Sequence, residues 1–262
     1  MTHATTPARY AESLFSLEGQ LAVVTGASRG IGLAVCQALA SAGADIVAVS
    51  HHMPEGDSEV RSAVAALDRK FTPLAADFSV REQVAELAED LAGRGVDILV
   101  NNAGTIRRAP AAAHTDEDFD HVMDVNLRST FILSREVGRS MMQRGHGKIV
   151  NMASLLSFQG GVIVPGYTSS KSAVAGLTKA LANEWAPRGV NVNAVAPGYV
   201  ATANTYDLRR DAERSRAILE RIPAGRWAQA SDIAGAVLFL CSPAADYVHG
   251  ITLPVDGGWL AR

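Results

Sequence analysis

Thr25-Gly26-Ala27-Ser28-Arg29-Gly30-Ile31-Gly32 joins the apolar run 21–25 to an apolar, helix-patterned stretch at 31–41. Its glycines permit positive φ and a close backbone approach. A helix that begins inside such a turn aims free N–H groups and the positive end of its dipole at whatever lies there, and a pyrophosphate is the natural occupant. The spacing, G-x-x-x-G-x-G, differs from the G-x-G-x-x-G of the standard dinucleotide fingerprint. A merely tight structural turn is compatible with the same residues. A dinucleotide site also calls for an acidic residue at the end of the second strand, to hold the ribose 2′-hydroxyl. That position reads Ser50-His51-His52, so no carboxylate repels a 2′-phosphate. Arg29 would attract one, yet no Arg or Lys follows the second strand, and NAD and NADP both stay open.

Outward from this turn, short β-rich runs alternate with longer helical patterns. Strands are expected at 21–25, 45–50, 71–75, 98–101, 148–152, 191–195 and 251–255, rich in Val, Ile, Leu and Ala without clean alternation. Strands buried on both faces of a parallel sheet have this composition. Helices are expected at 31–41, stopped by Gly43; at 80–92, with Ser79 as cap and Gly93 as stop; at 119–143; at 167–185, stopped by Pro187; and at 233–241. Repeated strand–helix alternation with right-handed crossovers predicts an α/β fold: a Rossmann-type, doubly wound, seven-stranded parallel sheet in a three-layer sandwich. Residues 1–16 read as an arm and 17–262 as one domain. Within it, the mixed-charge segment 202–222 is either a solvated helical face or a lid.

Composition excludes several classes. The 262 residues are 48% hydrophobic and 19% charged, with a net charge of −3 and a mean hydropathy of +0.09. That supports a sizeable core, and a global attraction to nucleic acid or to a membrane surface is not expected. Two distant cysteines, Cys36 and Cys241, make neither a disulfide scaffold nor a paired-Cys metal site, and seven histidines show no HExxH spacing, so no metal is expected. Residues 1–20 lack the apolar core of a secretory signal, and no run is long enough for a membrane span. The expected setting is the cytoplasm.

Tyr167-Thr168-Ser169-Ser170-Lys171 sets Tyr and Lys four residues apart, one helical turn, on one face. A nearby ammonium favours a phenolate, which makes tyrosine a usable base. Ser154, just past a strand end, is placed to hydrogen-bond a substrate oxygen. Y-x-x-x-K alone is also found on ordinary surface helices. With Thr25-Gly26-x-x-x-Gly30-x-Gly32, Asn101-Asn102-Ala103-Gly104, Asn126 and Pro197-Gly198-x-x-x-Thr202 in this order, the sequence resembles the short-chain dehydrogenase/reductase family over essentially its whole length. The resemblance implies Tyr167 as general acid/base, Lys171 as phenol-tuning and ribose-binding residue, Ser154 as oxyanion partner, and Asn126 as holder of a relay water. It implies cofactor contacts from Gly26, Ser28, Arg29, Gly30, Ile31 and Gly32, from Asp77 and Phe78 at the adenine, from Asn102 and Gly104, and from Pro197, Gly198, Val200 and Thr202 at the nicotinamide. Ser50 departs from the Asp of NAD-preferring members. A homotetramer is also implied, with Trp259 read as an interface residue.

The stretches Thr105-Ile106-Arg107-Arg108, 154–161, Glu184-Trp185, 221–227 and 255–262 resemble the branch of 2-dehydro-3-deoxygluconate 5-dehydrogenases and 2-deoxygluconate 3-dehydrogenases. The branch implies a small sugar-acid substrate and leans toward NAD. Arg107 or Arg108 suits a carboxylate, and Gln159 a hydroxyl; an arginine pair on a loop is equally compatible with solvent or a subunit contact. The alternatives are an NADPH-dependent 3-oxoacyl-carrier-protein reductase and a non-catalytic cofactor sensor.

Overall fold

The structure, a computed structural model, describes residues 7–262. The expected arm therefore lies partly outside the described residues, at 1–6. Its remainder forms helix α1 (Pro7–Phe15) beside the Pro243–Ala245 turn. The chain then runs β1 (Leu21–Thr25), α2 (Gly30–Ser41), β2 (Asp45–Ser50), α3 (Glu59–Ala65), β3 (Phe71–Ala75), α4 (Arg81–Gly93) and β4 (Ile98–Asn101). It continues through α5 (Asp116–Met123), α6 (Ser129–Arg144), β5 (Gly147–Met152), α7 (Pro165–Trp185) and β6 (Val190–Pro197). The last elements are α8 (Tyr206–Arg210), α9 (Ala212–Arg221), α10 (Ala230–Cys241) and β7 (Thr252–Val255). The seven strands form one parallel sheet in the order β3-β2-β1-β4-β5-β6-β7.

Burial on both faces explains the missing alternation. Val24, Ile46 and Ile98 face the helices α2 and α10, meeting Leu33, Leu39, Ile233 and Val237. Their neighbours Val23, Val47 and Leu99 face α4, α6 and α7, meeting Leu87, Leu91, Leu133, Val137 and Trp185. Both sets are apolar because both faces of the sheet are cores. Gly138 on α6 lets α7 close in: a Cβ there would meet the Trp185 ring at 2.6 Å.

Three expectations change. The single helix 119–143 is two helices joined by a π-helical turn, Asp124–Arg128. The hydroxyls of Ser129 and Thr130 donate to the carbonyls of Val125 and Asn126 inside this turn. Ser79 does not cap α4; Val80 occupies that position and the Ser79 hydroxyl donates to Asp77. Helix α3 was not expected, although Ser58 caps it by accepting from the Arg61 amide. Among the described residues no helix is long and apolar enough to cross a membrane.

The order of strands reverses between β1 and β4, which opens a crevice at their carboxyl ends. Beside it lies a buried polar chain. Asn101 Nδ2 donates to Ser134 Oγ and to Asn151 Oδ1, each at 2.9 Å, and Asn151 Nδ2 donates to Thr178 Oγ1 at 3.0 Å. The chain ties β4 and β5 to α6 and α7. Asn151→Ala leaves these partners short of hydrogen bonds in a dry core and is expected to cost about 2 kcal/mol, read as a lower midpoint in denaturant unfolding.

Candidate active site

The glycine turn has the shape its sequence demands. Gly26 and Gly30 take φ of +66° and +59°, and a Cβ on Gly32 would lie 2.1 Å from the Gly26 carbonyl oxygen. Arg29 stands extended at the start of α2 and gives its first turn no side-chain cap, so the N–H groups there face the crevice. The turn is braced from β4. The Asn102 and Ala103 amides both donate to Thr25 Oγ1 at 2.9 Å, and Asn102 Nδ2 donates to the carbonyls of Thr25 and Gly26 at 2.8 and 3.2 Å. Asn102 thus supports the turn, and its side chain is spent doing so.

Ser50 serves the same turn: its Oγ accepts from the Ser28 amide at 3.1 Å. Past β3, Asp77 Oδ2 lies 3.3 Å from His51 Nδ1, and Asp77 Oδ1 accepts from the Ser79 hydroxyl and amide. Burial raises the Asp77 carboxyl, but the Ser79 hydrogen bonds and His51 outweigh it and hold the group below the usual range. The Phe78 side chain, expected beside the adenine, packs into the core beside α4.

The catalytic candidates converge across the crevice. Ser154 follows β5, and Lys171 lies one turn along α7 from Tyr167, its Nζ 5.7 Å from the Tyr167 ring centroid. Lys171 is buried and donates to the Met152 carbonyl at 2.6 Å; burial pushes its ammonium down to about 8. The phenol of Tyr167 is pushed up by burial, which outweighs a hydrogen bond with Ser154 and the charge of Arg108. Sequence reasoning expected Lys171 to supply the charge that lowers Tyr167; in this structure that charge comes from Arg108, and desolvation wins. A Cβ on Gly104 would lie 3.4 Å from Asn126 Oδ1 and 3.7 Å from Lys171 Nζ, so the bare glycine keeps the crevice open between β4 and Lys171.

Asn126 sits in the π turn. Its amide donates to the Thr105 carbonyl and Ser170 Oγ, and its Oδ1 accepts from the Thr105 amide at 2.8 Å. The side chain is fully engaged by these bonds, and the main-chain carbonyl accepts from the Thr130 hydroxyl at 2.9 Å. Pro197 ends β6. Gly198 passes so close to β7 that a Cβ would lie 2.7 Å from Asp256 Cα, and Thr202 lies across from Gly30, 3.6 Å from where a Cβ would stand there. Val200 is buried and bridges to Ala228.

The substrate candidates divide. Arg107 pairs with Asp118 at 3.3 Å, whereas Arg108 donates to the Asn204 carbonyl at 3.2 Å and bears on Tyr167. Gln159 Oε1 accepts from Arg221 at 3.4 Å. Trp259 is not a surface residue awaiting a partner: it is buried against Leu155 and Ile222 of its own chain. Residues without a motif do much of the positioning. Ser157 Oγ donates to the Lys171 carbonyl at 2.6 Å and Ser172 Oγ to that of Leu156, stapling the Ser154 loop to α7. Ile163, a β-branched residue at φ +59°, bends the chain into α7, a strained conformation of the kind found beside functional sites. Only the local Ser-rich composition hints at the staples in the sequence.

Comparison with known proteins accords with this geometry. The family model described as enoyl-(acyl carrier protein) reductase matches residues 26–260. The chain is 54% identical over 254 residues to a 2-dehydro-3-deoxy-D-gluconate 5-dehydrogenase of Bacillus subtilis, covering 97% of this chain and 99% of the relative. A crystal structure from Agrobacterium tumefaciens with bound NADP, provisionally named a 2-deoxy-D-gluconate 3-dehydrogenase, is 52% identical with a TM-score of 0.90, covering 95% and 99% of the two chains. A gluconate 5-dehydrogenase from Burkholderia cenocepacia, solved with NADP and tartrate, is 38% identical with a TM-score of 0.87, covering 96% and 99%.

The buried ammonium has a measurable consequence. An unfolded lysine titrates near 10.4, so between about pH 8 and 10 the unfolded chain holds a proton that folded Lys171 has released. Its contribution to stability therefore rises with pH in that window, by up to about 1.4 kcal/mol per unit, and is constant below it. Cys36 and Cys241, pushed up to about 12 by burial, act in the opposite sense. Comparing the cofactor-free protein with Lys171→Met cancels the cysteines. Denaturant unfolding should show the wild type gaining on the variant as pH rises from 8 to 10.

Proposed function

The chain belongs to the short-chain dehydrogenase/reductase family, and from that premise we propose that it is an NAD(P)-dependent dehydrogenase acting on a secondary hydroxyl or ketone of a small sugar acid of the deoxygluconate type. The observation that carries the reading is the meeting of Ser154, Tyr167 and Lys171 with the open start of α2 in one crevice. The sugar acid is supported by relatives with that activity over nearly the whole chain.

The crevice suits a dinucleotide. The turn from Gly26 to Gly32 offers uncapped N–H groups to a pyrophosphate, Gly104 leaves space beside Lys171, and Thr202 faces the turn. Gly26, Ser28, Arg29, Gly30, Ile31 and Gly32 would hold the phosphates, Asp77 the adenine edge, and Pro197, Gly198, Val200 and Thr202 the nicotinamide end. When bound, nicotinamide supplies the hydride acceptor or donor. In oxidation Tyr167 gives its own phenol proton toward Lys171 and takes the substrate hydroxyl proton in its place, while the Ser154 hydroxyl steadies the oxygen. Lys171, whose ammonium burial brings down to about 8, passes the released proton onward, and reduction runs the same path in reverse. A water on the second lone pair of the Asn126 carbonyl would link Lys171 to solvent.

The proposal favours NADP over the NAD to which the branch leans. Arg29 is exposed and has no ion pair among the described residues, Ser50 leaves the 2′ position free of a carboxylate, and Asp77 is engaged by Ser79 and His51. Solved relatives carry NADP. A reducing cytoplasm suits the two buried, unpaired thiols, and exposed Phe119 and Phe131 suit the contacts of a homotetramer.

Initial rates followed through nicotinamide absorbance should show turnover of gluconate, 2-deoxygluconate or dehydro-deoxygluconate; no turnover of any of them with either cofactor overturns the reading. Tyr167→Phe should lower kcat about a thousandfold with NADPH affinity, measured by fluorescence, unchanged. Arg29→Ala should weaken NADP about tenfold and NAD much less, as read in the KM of each cofactor.

A further inference from the structure

The arginines around the crevice fall into two groups. Arg107 is held by Asp118, Arg226 by Asp232 through two nitrogens at 2.6 and 3.0 Å, and Arg216 lies near Glu220. Arg108, Arg209, Arg210 and Arg221 instead meet neutral acceptors: the Asn204 carbonyl at 3.2 Å, the Thr202 carbonyl at 3.2 Å, the Tyr206 hydroxyl at 3.3 Å and the Gln159 amide oxygen at 3.4 Å. The charge of Arg108 reaches Tyr167, which places it toward the Tyr167 end of the crevice.

Arg221 is differently built. It is the last residue of α9, and its guanidinium carbon stands 4.0 Å from the Trp259 ring centroid. Trp259 is itself fixed, buried against Leu155 and Ile222 with the Tyr199 ring 4.8 Å away. A guanidinium placed over an aromatic face keeps its plane and leaves its N–H edge free for a two-pronged carboxylate contact. Its current partner sits on the loop that carries Ser154, five residues further on, and Ser157 and Ser172 tie that loop to α7 beside Lys171. Arg221 is therefore an arginine without an acidic partner among the described residues, held by an aromatic platform and set by a weak neutral contact at the edge of the catalytic loop.

We propose that Arg221 binds the carboxylate of the sugar acid and, with Gln159, determines the preference for acidic over neutral substrates. The proposal rests on the sugar-acid reading above and names the group that would recognise the acid. The exchange is chemically simple. A carboxylate is a stronger acceptor than an amide oxygen, so Arg221 gives up Gln159 Oε1, and the freed amide can turn its N–H toward the same carboxylate. No proton or electron moves.

The test separates charge recognition from lid structure. Arg221→Ala should raise KM for the best sugar acid about tenfold or more, the loss of a charge-assisted pair, with kcat little changed and the NADPH dissociation constant unchanged by fluorescence titration. Arg221→Lys should restore part of the affinity. Gln159→Glu offers Arg221 an internal carboxylate and should also raise KM for the acid. An unchanged KM in Arg221→Ala overturns the proposal, as does a loss of kcat and NADPH affinity in step with KM. If the wild type oxidises no sugar acid, this proposal and the function both fall; if it does and Arg221→Ala matches it, only the role of Arg221 falls.

Discussion

The hydrogen bonds between the Thr25 hydroxyl and the Asn102–Ala103 backbone join the ends of β1 and β4, the two strands between which the chain reverses direction across the sheet. Everything at the crevice is referenced to that joint. On one side the glycine turn leaves β1 and opens α2. On the other, the chain leaves β4 through Gly104 to Thr105, whose amide and carbonyl clasp Asn126. Parallel strands require such reversals to be knitted by side chains, because no ladder hydrogen bond crosses beyond the strand ends. A two-acceptor hydroxyl at position 25 satisfies two amides that would otherwise be left unpaired in a partly buried place.

The same economy governs the charges. Lys171 is a buried amine whose one hydrogen-bond acceptor among the described residues is the Met152 carbonyl, so the folded protein carries a desolvation cost there. Tyr167 is likewise held in its neutral form by burial. Both are arranged for a filled crevice. A dinucleotide brings hydroxyl groups and negative charge into the region, which favours the ammonium and gives its protons new partners. A site preorganised around its ligand carries such a cost in its own scaffold.

Much of this was legible in the sequence because it lies in periodicity and local motif. All seven strands were visible as apolar runs, most plainly the five inner ones, where burial on two faces leaves no other composition workable; the edge strands β3 and β7 are only partly buried. The glycine turn was legible because positive φ and the contact at Gly32 admit few residues. The π turn at Asp124–Arg128 was not, because the residues 119–143 keep an ordinary helical pattern through it and the hydroxyls of Ser129 and Thr130 look like neutral helix residues. Arg107 and Arg108 could not be told apart before Asp118 was seen to take one of them. Nor could Trp259 be assigned to the interior, since its neighbours Leu155 and Ile222 lie far away in the chain.

Recognition of an anionic substrate then has to be local. A chain with net charge −3 provides no overall pull on a sugar acid, and two of the arginines near the crevice, Arg107 and Arg226, are already neutralised by acids. An arginine with an acid beside it would have to break an ion pair to bind a carboxylate, and that exchange gains little. One resting on a tryptophan face and a neutral amide breaks nothing of comparable strength. Selectivity therefore falls to cations that have no carboxylate partner among the described residues, and their placement divides the work: Arg29 at the glycine turn, Arg108 toward Tyr167, and Arg221 at the end of α9 against Trp259. Spacing them along three separate segments lets one crevice hold a dinucleotide and a sugar acid without the two anions competing for the same guanidinium.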